Sequence, residues 1–268
     1  MRLASLAAVL VPLLAACPGG GTGAKRGYPE PKAEDIVARL EKDHTTRTGF
    51  TAESTMDYWL GKDRLKGTVL VMGTIGKKVR FNALSPAGGD VLADMACDGA
   101  NYAYVDKQNN CQLTGPCDRQ SIAALLHVEV EPEDFIYFAV GSVPVVETAG
   151  TVAWDAKNGH EKVALTGPKG TQTIELDMRG GHFDVIASEL KDPAGKIVWS
   201  IENADFGNVA DPDGAEHRLP GKTRFKAPNQ AADLLVDWGE RTVNPDLSNP
   251  AKFTVTVPAG LATCGPKS

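Results

Sequence analysis

From about residue 50 onward the hydrophobic positions recur mostly with a period of two. In Lys78 to Leu84, Val79, Phe81 and Ala83 alternate with Lys78, Arg80 and Asn82, and in Gln172 to Arg179, Ile174, Leu176 and Met178 alternate with Glu175, Asp177 and Arg179. Alternation of this kind puts apolar side chains on one face of a pleated strand and polar ones on the other. The same criterion predicts strands over Phe50 to Leu60, Leu65 to Gly73, Val91 to Cys97, Ala100 to Asp106, Thr151 to Ala156, Lys162 to Thr166, Phe183 to Lys191 and Lys196 to Phe206. Later strands are predicted over Lys222 to Lys226, Leu234 to Thr242 and Phe253 to Val257. Asp98-Gly99 is a two-residue hairpin signal, so the strands flanking it are expected to pair antiparallel. Gly180-Gly181 and Pro193-Ala194-Gly195 supply further turns. Helical spacing is confined to three places: Lys32 to Asp43, with Ile36, Val37 and Leu40; Asp118 to His127, with Asp118 as N-cap; and a segment from Pro132 that carries Phe135, Ile136 and Phe138. About a dozen strands joined by tight turns make one antiparallel meander curling around a core.

The N-terminus follows a different pattern. Arg2 precedes an apolar run from Leu3 to Leu14, and Ala15-Ala16 then offer small residues for cleavage, so residues 1–16 are expected to be an export signal. The run is too short for a retained membrane span and is broken by Pro18 to Gly23. Leu14-Ala15-Ala16-Cys17 resembles the lipobox of bacterial lipoproteins. That resemblance implies a diacylglycerol on the Cys17 thiol and an N-acyl chain such as palmitate on its amino group, with the mature chain starting at Cys17. Two or more acyl chains hold a protein stably at a membrane. Pro18 stands where an aspartate favours inner-membrane retention in enterobacteria, so the expected location is the outer membrane, facing the periplasm. The alternative is an ordinary secretory signal cut near Ala16. Residues 17–31, rich in Gly and Pro, are expected to be a flexible lipidated tether, and residues 32–268 a single domain without internal repeats.

Composition narrows the function. With 28 basic and 34 acidic residues the formal net charge is -6, and no basic stripe with interleaved aromatics occurs, which argues against nucleic acid as a partner. Apart from Cys17 there are four cysteines, Cys97, Cys111, Cys117 and Cys264, an even set that suggests two disulfides in an oxidising envelope compartment. Three connectivities are open. Leu113-Thr114-Gly115-Pro116 reads as a turn that favours Cys111 with Cys117, leaving Cys97 with Cys264. A zinc site is the competing reading, but no pair has C-x2-C spacing and no histidine lies nearby. The five histidines fall in separate segments without H-E-x-x-H, and no G-x-S-x-G occurs, so neither catalysis nor a metal or other cofactor is expected. Asp211 to Glu216 lacks the acidic spacing of a calcium loop and reads as a turn. Glu129, Glu131, Glu133 and Asp134 read as a solvated acidic face, with a partner-docking patch as the sharper alternative.

One family draws these features together. The lipobox, a meander with helices inserted midway, Leu219-Pro220-Gly221, Val243-Asn244-Pro245 and the closing Phe253-Thr254-Val255-Thr256-Val257-Pro258-Ala259-Gly260 resemble the LolA/LolB-like lipoprotein carrier superfamily over most of Lys32 to Leu261. The resemblance implies a mainly β (α+β) fold: a strongly curved antiparallel sheet, or incomplete β-barrel, with helices covering the concave face and an apolar cavity for acyl chains between them. The carrier itself lacks a lipid anchor, so the anchored receptor is the nearer analogue. The four domain cysteines do not map onto the receptor pattern, and for its exposed apolar loop the candidate is Val143-Pro144-Val145-Val146, although such a segment is more often a buried connector. Candidate cavity residues are Val79, Phe81, Tyr102, Tyr104, Ile174, Leu176 and Met178 from the strands, with Phe135, Ile136 and Phe138 from the helix. A packed core is the alternative. Lipid or lipoprotein cargo is therefore the expected partner, and the second reading is a non-enzymatic envelope sensor or assembly-factor subunit that binds another envelope protein.

Overall fold

Two antiparallel meanders meet along one seam in the computed structural model, which describes residues 23–86, 89–119 and 130–265. The first comprises β1 (Gly49–Leu60), β2 (Asp63–Thr74), β3 (Lys78–Leu84), β4 (Val91–Asp98), β5 (Asn101–Asp106) and β6 (Cys111–Pro116), each paired with the next. The second runs through β7 (Gly150–Asp155), β8 (His160–Gly167), β9 (Gly170–Asp177), β10 (Asp184–Lys191) and β11 (Ile197–Ala204). A separate ribbon of β12 (Gly207–Ala210) and β13 (Glu216–Leu219) precedes β14 (Lys222–Ala227) and β15 (Ala232–Val243), and β15 closes the seam by pairing with β1. At the far edge the short β16 (Ala262–Thr263) adds to β6 in parallel. The result is one 14-stranded sheet, not closed into a barrel, with β7 and β16 at its edges. Among the described residues there are two α-helices, α1 (Ala33–Thr46) before β1 and α2 (Pro132–Ala139) between the meanders. Cys17, the signal segment and nearly all of the helix expected over Asp118 to His127 lie outside the described residues.

Register puts the apolar positions on one face. Val79 lies opposite Cys97, and Cys97 opposite Tyr102; Phe81 lies opposite Met95, and Met95 opposite Tyr104. Directly opposed residues share a face of the sheet. Phe50, Val79, Ile174, Leu176 and Ile201 are fully buried there and belong to a single core cluster with Ile36, Leu40 and Ile136 from the helices. The face bends. Phe135 of α2 packs on Phe81 of β3, with ring centroids 4.9 Å apart, while Phe138 one turn later packs on Trp199 of β11 at 5.6 Å. These strands are separated by four others, a distance of about 24 Å across a flat sheet, whereas a helix with its side chains is only about 12 Å wide. The sheet must curl for both contacts to form.

Two turns show how the chain is reversed. Asp98 accepts hydrogen bonds from the N–H groups of Ala100 and Asn101, and Gly99 between them takes φ 106°, completing the expected hairpin. Gly170 starts β9 at φ 121°, where an added Cβ would lie 1.8 Å from the carbonyl oxygen of Lys191, so only glycine fits.

Three expectations are corrected. The strand expected over Phe253 to Val257 is instead a 3-10 turn at Pro250–Phe253, capped by the Asn249 side chain accepting from Ala251 N–H, followed by unpaired chain. Second, residues 111 to 116 form strand β6 and do not turn. Asp106 accepts from the N–H groups of Gln108 and Asn109 and places the reversal there, so the chain beyond Cys111 is already returning alongside β5. Third, part of the expected flexible tether, from Ala24 to Tyr28, is docked on the sheet. Ala24 N–H donates to Ala156 O, and Arg26 reaches both oxygens of Glu161 at 2.7 and 2.9 Å. Gly and Pro make up eight of the fifteen residues 17–31, but Arg26 and Tyr28 hold this part of it against the sheet.

Candidate functional site

α2 begins where Pro132 removes a donor that a first helical turn leaves unpaired, and Glu133 and Asp134 complement the positive end of its dipole. Its buried side is Phe135, Ile136, Phe138 and Ala139. The other end is held by two guanidiniums: Arg241 Nη1 donates to Ala139 O at 2.9 Å and Arg47 Nη1 to Val140 O at 3.1 Å. Arg241 Nη2 also donates to Pro220 O, so the Leu219-Pro220-Gly221 element is fastened to the helix end through the same side chain. Desolvation lowers both guanidinium pKa values, that of Arg241 to about 10.

Between α2 and the sheet lies an apolar crevice lined by Val130, Phe135, Phe138, Phe225, Leu234, Val236 and Trp238, with Thr223 as the one polar lining residue. Thr223 does not face it as a free hydroxyl: its Oγ1 donates to Asn203 Oδ1 at 2.8 Å and accepts from Trp238 Nε1 at 3.0 Å, and Asn203 in turn donates to Val185 O. The wall is thus hydrocarbon backed by a satisfied polar chain. The crevice volume is about 20 Å³, enough for a single water, so an acyl chain enters only if side chains or α2 move.

Of the candidate lining residues, Phe135 and Phe138 are on this crevice. Val79, Phe81, Ile136, Ile174 and Leu176 are buried in the surrounding core, while Tyr102, Tyr104 and Met178 pack against it partly exposed. Burial pushes the Tyr104 hydroxyl up to about 12. Phe225, Leu234, Val236 and Trp238 were not singled out by sequence, although the last three alternate at period two in β15 and could have been.

The remaining sequence candidates fall elsewhere. Cys97 is bonded to Cys117 and Cys111 to Cys264, not in the favoured pairing. The reason is geometric: Cys111 and Cys117 stand at opposite ends of β6, about 20 Å apart at strand rise. The second bond ties the C-terminal segment to the sheet edge after that segment crosses the outer face, where Phe253 is buried and an open cleft of about 420 Å³ is lined by Asp98, Asn101, Tyr102 and Thr114 among others. Val143 is fully buried, and Gln172 binds Pro144 O and Val146 N–H, so this segment is a connector and not an exposed loop. Asp211 accepts from Asp213 N–H and Ala215 N–H and lies 3.1 Å from His217 Nε2, closing the β12–β13 turn. In the acidic run Glu131 pairs with Arg119, and Glu129 lies outside the described residues. No group of three or more His, Cys, Asp or Glu side chains suited to a metal occurs among the described residues.

Solved structures with a similar course of chain come from several bacteria. A LolA superfamily protein from Nitrosomonas europaea aligns over 84% of this chain and 99% of its own, with a TM-score of 0.53 at 10% identity. The fold is LolA-like. A DUF1329 family protein from Desulfovibrio piger aligns over 83% of this chain and 95% of its own (TM-score 0.55, 14% identity). A domain assigned as an outer membrane lipoprotein-sorting protein from Vibrio parahaemolyticus aligns over 81% and 94% (TM-score 0.53, 11% identity). Neither a protein-family model nor a curated protein matches the sequence. Within the LolA-like frame the short motifs acquire physical roles. Asn244 of Val243-Asn244-Pro245 accepts from Thr48 N–H and donates to Thr46 O, tying the end of β15 to the α1–β1 junction.

Proposed function

We propose that this protein is an envelope lipoprotein, anchored in the outer membrane through acylated Cys17, whose helices cover the concave face of the sheet and which takes acyl chains of lipid or lipoprotein between α2 and strands β14 and β15. The observation that carries this reading is the crevice itself: aromatic and aliphatic on every wall, its one hydroxyl engaged behind it, and covered by a helix of only 8 residues. The LolA-like fold supports it, as does the lipoprotein-sorting assignment of the Vibrio domain. Phe135 and Phe138 line the crevice, so on this reading cargo enters by displacing them. No chemistry is performed and no cofactor is used; the lipid on Cys17 is an anchor, and the working partner is cargo. Native mass spectrometry of protein extracted gently from membranes tests the reading. Bound phospholipid or acylated peptide, lost on loading with excess fatty acid, is the expected result, and a protein that stays lipid-free at saturating lipid is not a carrier.

The closed crevice favours a second reading, a non-enzymatic envelope sensor or assembly subunit that uses the same scaffold to bind a protein. It predicts crosslinks to an envelope protein with no lipid in the native mass spectrum.

A further inference from the structure

Glu161 is a charged residue on the core-facing side of β8. It alternates with buried Val163 and Leu165 and lies opposite Leu176, and its side chain is 0% exposed. Both of its oxygens are taken by Arg26, which comes from outside the sheet and also lies over the ring of Trp154 at 5.4 Å. Trp154 Nε1 donates to Ala24 O, Ala24 N–H donates to Ala156 O, and the Tyr28 ring meets Trp154 edge-on. Residues 24–28 are therefore a strap whose charge completes the interior of the domain. A buried carboxylate without its cation is strongly unfavourable, so the strap stays docked whenever the domain is folded.

From this we infer that the strap fixes how the body stands on its membrane: the end of the sheet formed by the β7–β8 turn, residues 156–159, faces the lipid surface. The inference rests on the proposed acylation of Cys17. Only seven residues lead from Cys17 to Ala24, so the strap's first docked residue lies within about 25 Å of the acylated sulfur even with the chain fully extended. A tether free to residue 31 leaves every face of the body accessible to the membrane; a tether that ends at Ala24 does not. The charge at this end agrees. Lys25 and Lys157 are exposed without an ion-pair partner among the described residues, while the neighbouring carboxylates of Asp155 and Asp177 are engaged by Lys162 and Arg179. Unpaired lysines beside the anchor suit an anionic lipid surface.

The test places a photocrosslinking phenylalanine analogue at Lys157 or at Ala194, which lies in the exposed turn at the opposite end of the neighbouring β10–β11 hairpin. The disulfide-bonded chain beginning at Cys17 is coupled through that thiol to a maleimide lipid and inserted in vesicles of phosphatidylethanolamine with phosphatidylglycerol. Lipid crosslinks at position 157 are expected to exceed those at 194 several-fold. Inserting a Gly/Ser stretch of about twenty residues between Gly21 and Thr22 lengthens the link between Cys17 and the docked strap, so it is expected to erase the difference. Equal labelling at the two positions, or a difference that survives the insertion, overturns the inference. Because the maleimide lipid supplies the anchor whether or not cells do, the result reports on the strap alone. The mass of the protein extracted from membranes reports separately on acylation.

Discussion

Phe138 of α2 sits against both Trp199 of β11 and Phe225 of β14, with ring centroids 5.6 and 5.5 Å away, and is the side chain that most directly fills the space between helix and sheet. Truncating it tests whether that space is a latent binding site. Phe138→Ala removes a buried ring and is expected to destabilise the fold by about 3–5 kcal/mol. If the crevice accepts acyl chains, the same variant binds a fluorescent fatty acid more tightly than the parent, because the cost of displacing the ring is gone. Loss of stability with unchanged or weaker fatty-acid binding assigns Phe138 to the core alone.

Arg26 and Glu161 make a separable prediction about the strap. Arg26→Ala leaves a carboxylate buried and unpaired and is expected to cost about 3–5 kcal/mol in urea unfolding. Arg26→Leu combined with Glu161→Leu removes both charges and is expected to recover most of that loss. A double variant as unstable as the single one means that the packing of Ala24 and Tyr28 on Trp154, and not the ion pair, holds the strap.

How far the chain could be read in advance depended on the range of the contact. The alternation in Lys78 to Leu84 and the Asp98-Gly99 turn are decided by neighbours in sequence, and both appear as expected. So does the apolar side of α2, which needs only helical spacing. The disulfide pairing depends on where Asp106 reverses the chain and on the path of a C-terminal segment whose Cys264 bonds to Cys111 of β6 across 153 residues. Arg26 and Glu161 are 135 residues apart, and nothing local to either marks the other. The size of the crevice is a property of how Phe135 and Phe138 pack against Phe225 and Trp238, which no periodicity records.

The two disulfides are expected to differ in their worth. Cys111–Cys264 spans 153 residues and Cys97–Cys117 spans 20. In the chain-entropy treatment of the unfolded state these closures correspond to about 5 and about 3 kcal/mol. Cys264→Ser is therefore expected to lower the unfolding free energy more than Cys117→Ser, each compared with its partner variant Cys111→Ser or Cys97→Ser. A peptide map without reductant, showing Cys97 joined to Cys117 and Cys111 to Cys264, checks the pairing directly. Recovery of a Cys111–Cys117 peptide overturns it.

Asp134 gives α2 a pH dependence of definite sign. Burial beside Glu131 raises its carboxyl to about 6, above the ordinary value of 3.8. The folded state therefore holds the proton more readily than the unfolded chain, and the stability this confers is complete below about pH 3.8 and is lost as pH rises through 6. His44, stacked on Tyr137 and 2.8 Å from Ser142 Oγ through Nε2, is displaced the other way: burial of its ring lowers it to about 4 from 6.5. Its contribution is present above about pH 6.5 and is lost as pH falls toward 4. Between those limits the two oppose each other, so the parent's own stability profile hides both, and the difference between parent and variant must be read. Asp134→Asn has nothing to gain where the aspartate is already protonated. It is expected to match the parent at about pH 4 and to exceed it at about pH 8 by about 1–2 kcal/mol, a figure below the full two-unit equivalent because the carboxyl keeps some solvent. Urea unfolding at the two pH values measures this, and an Asn variant that gains nothing at the higher value means that Asp134 is solvated in the folded protein and that the start of α2 is open to water.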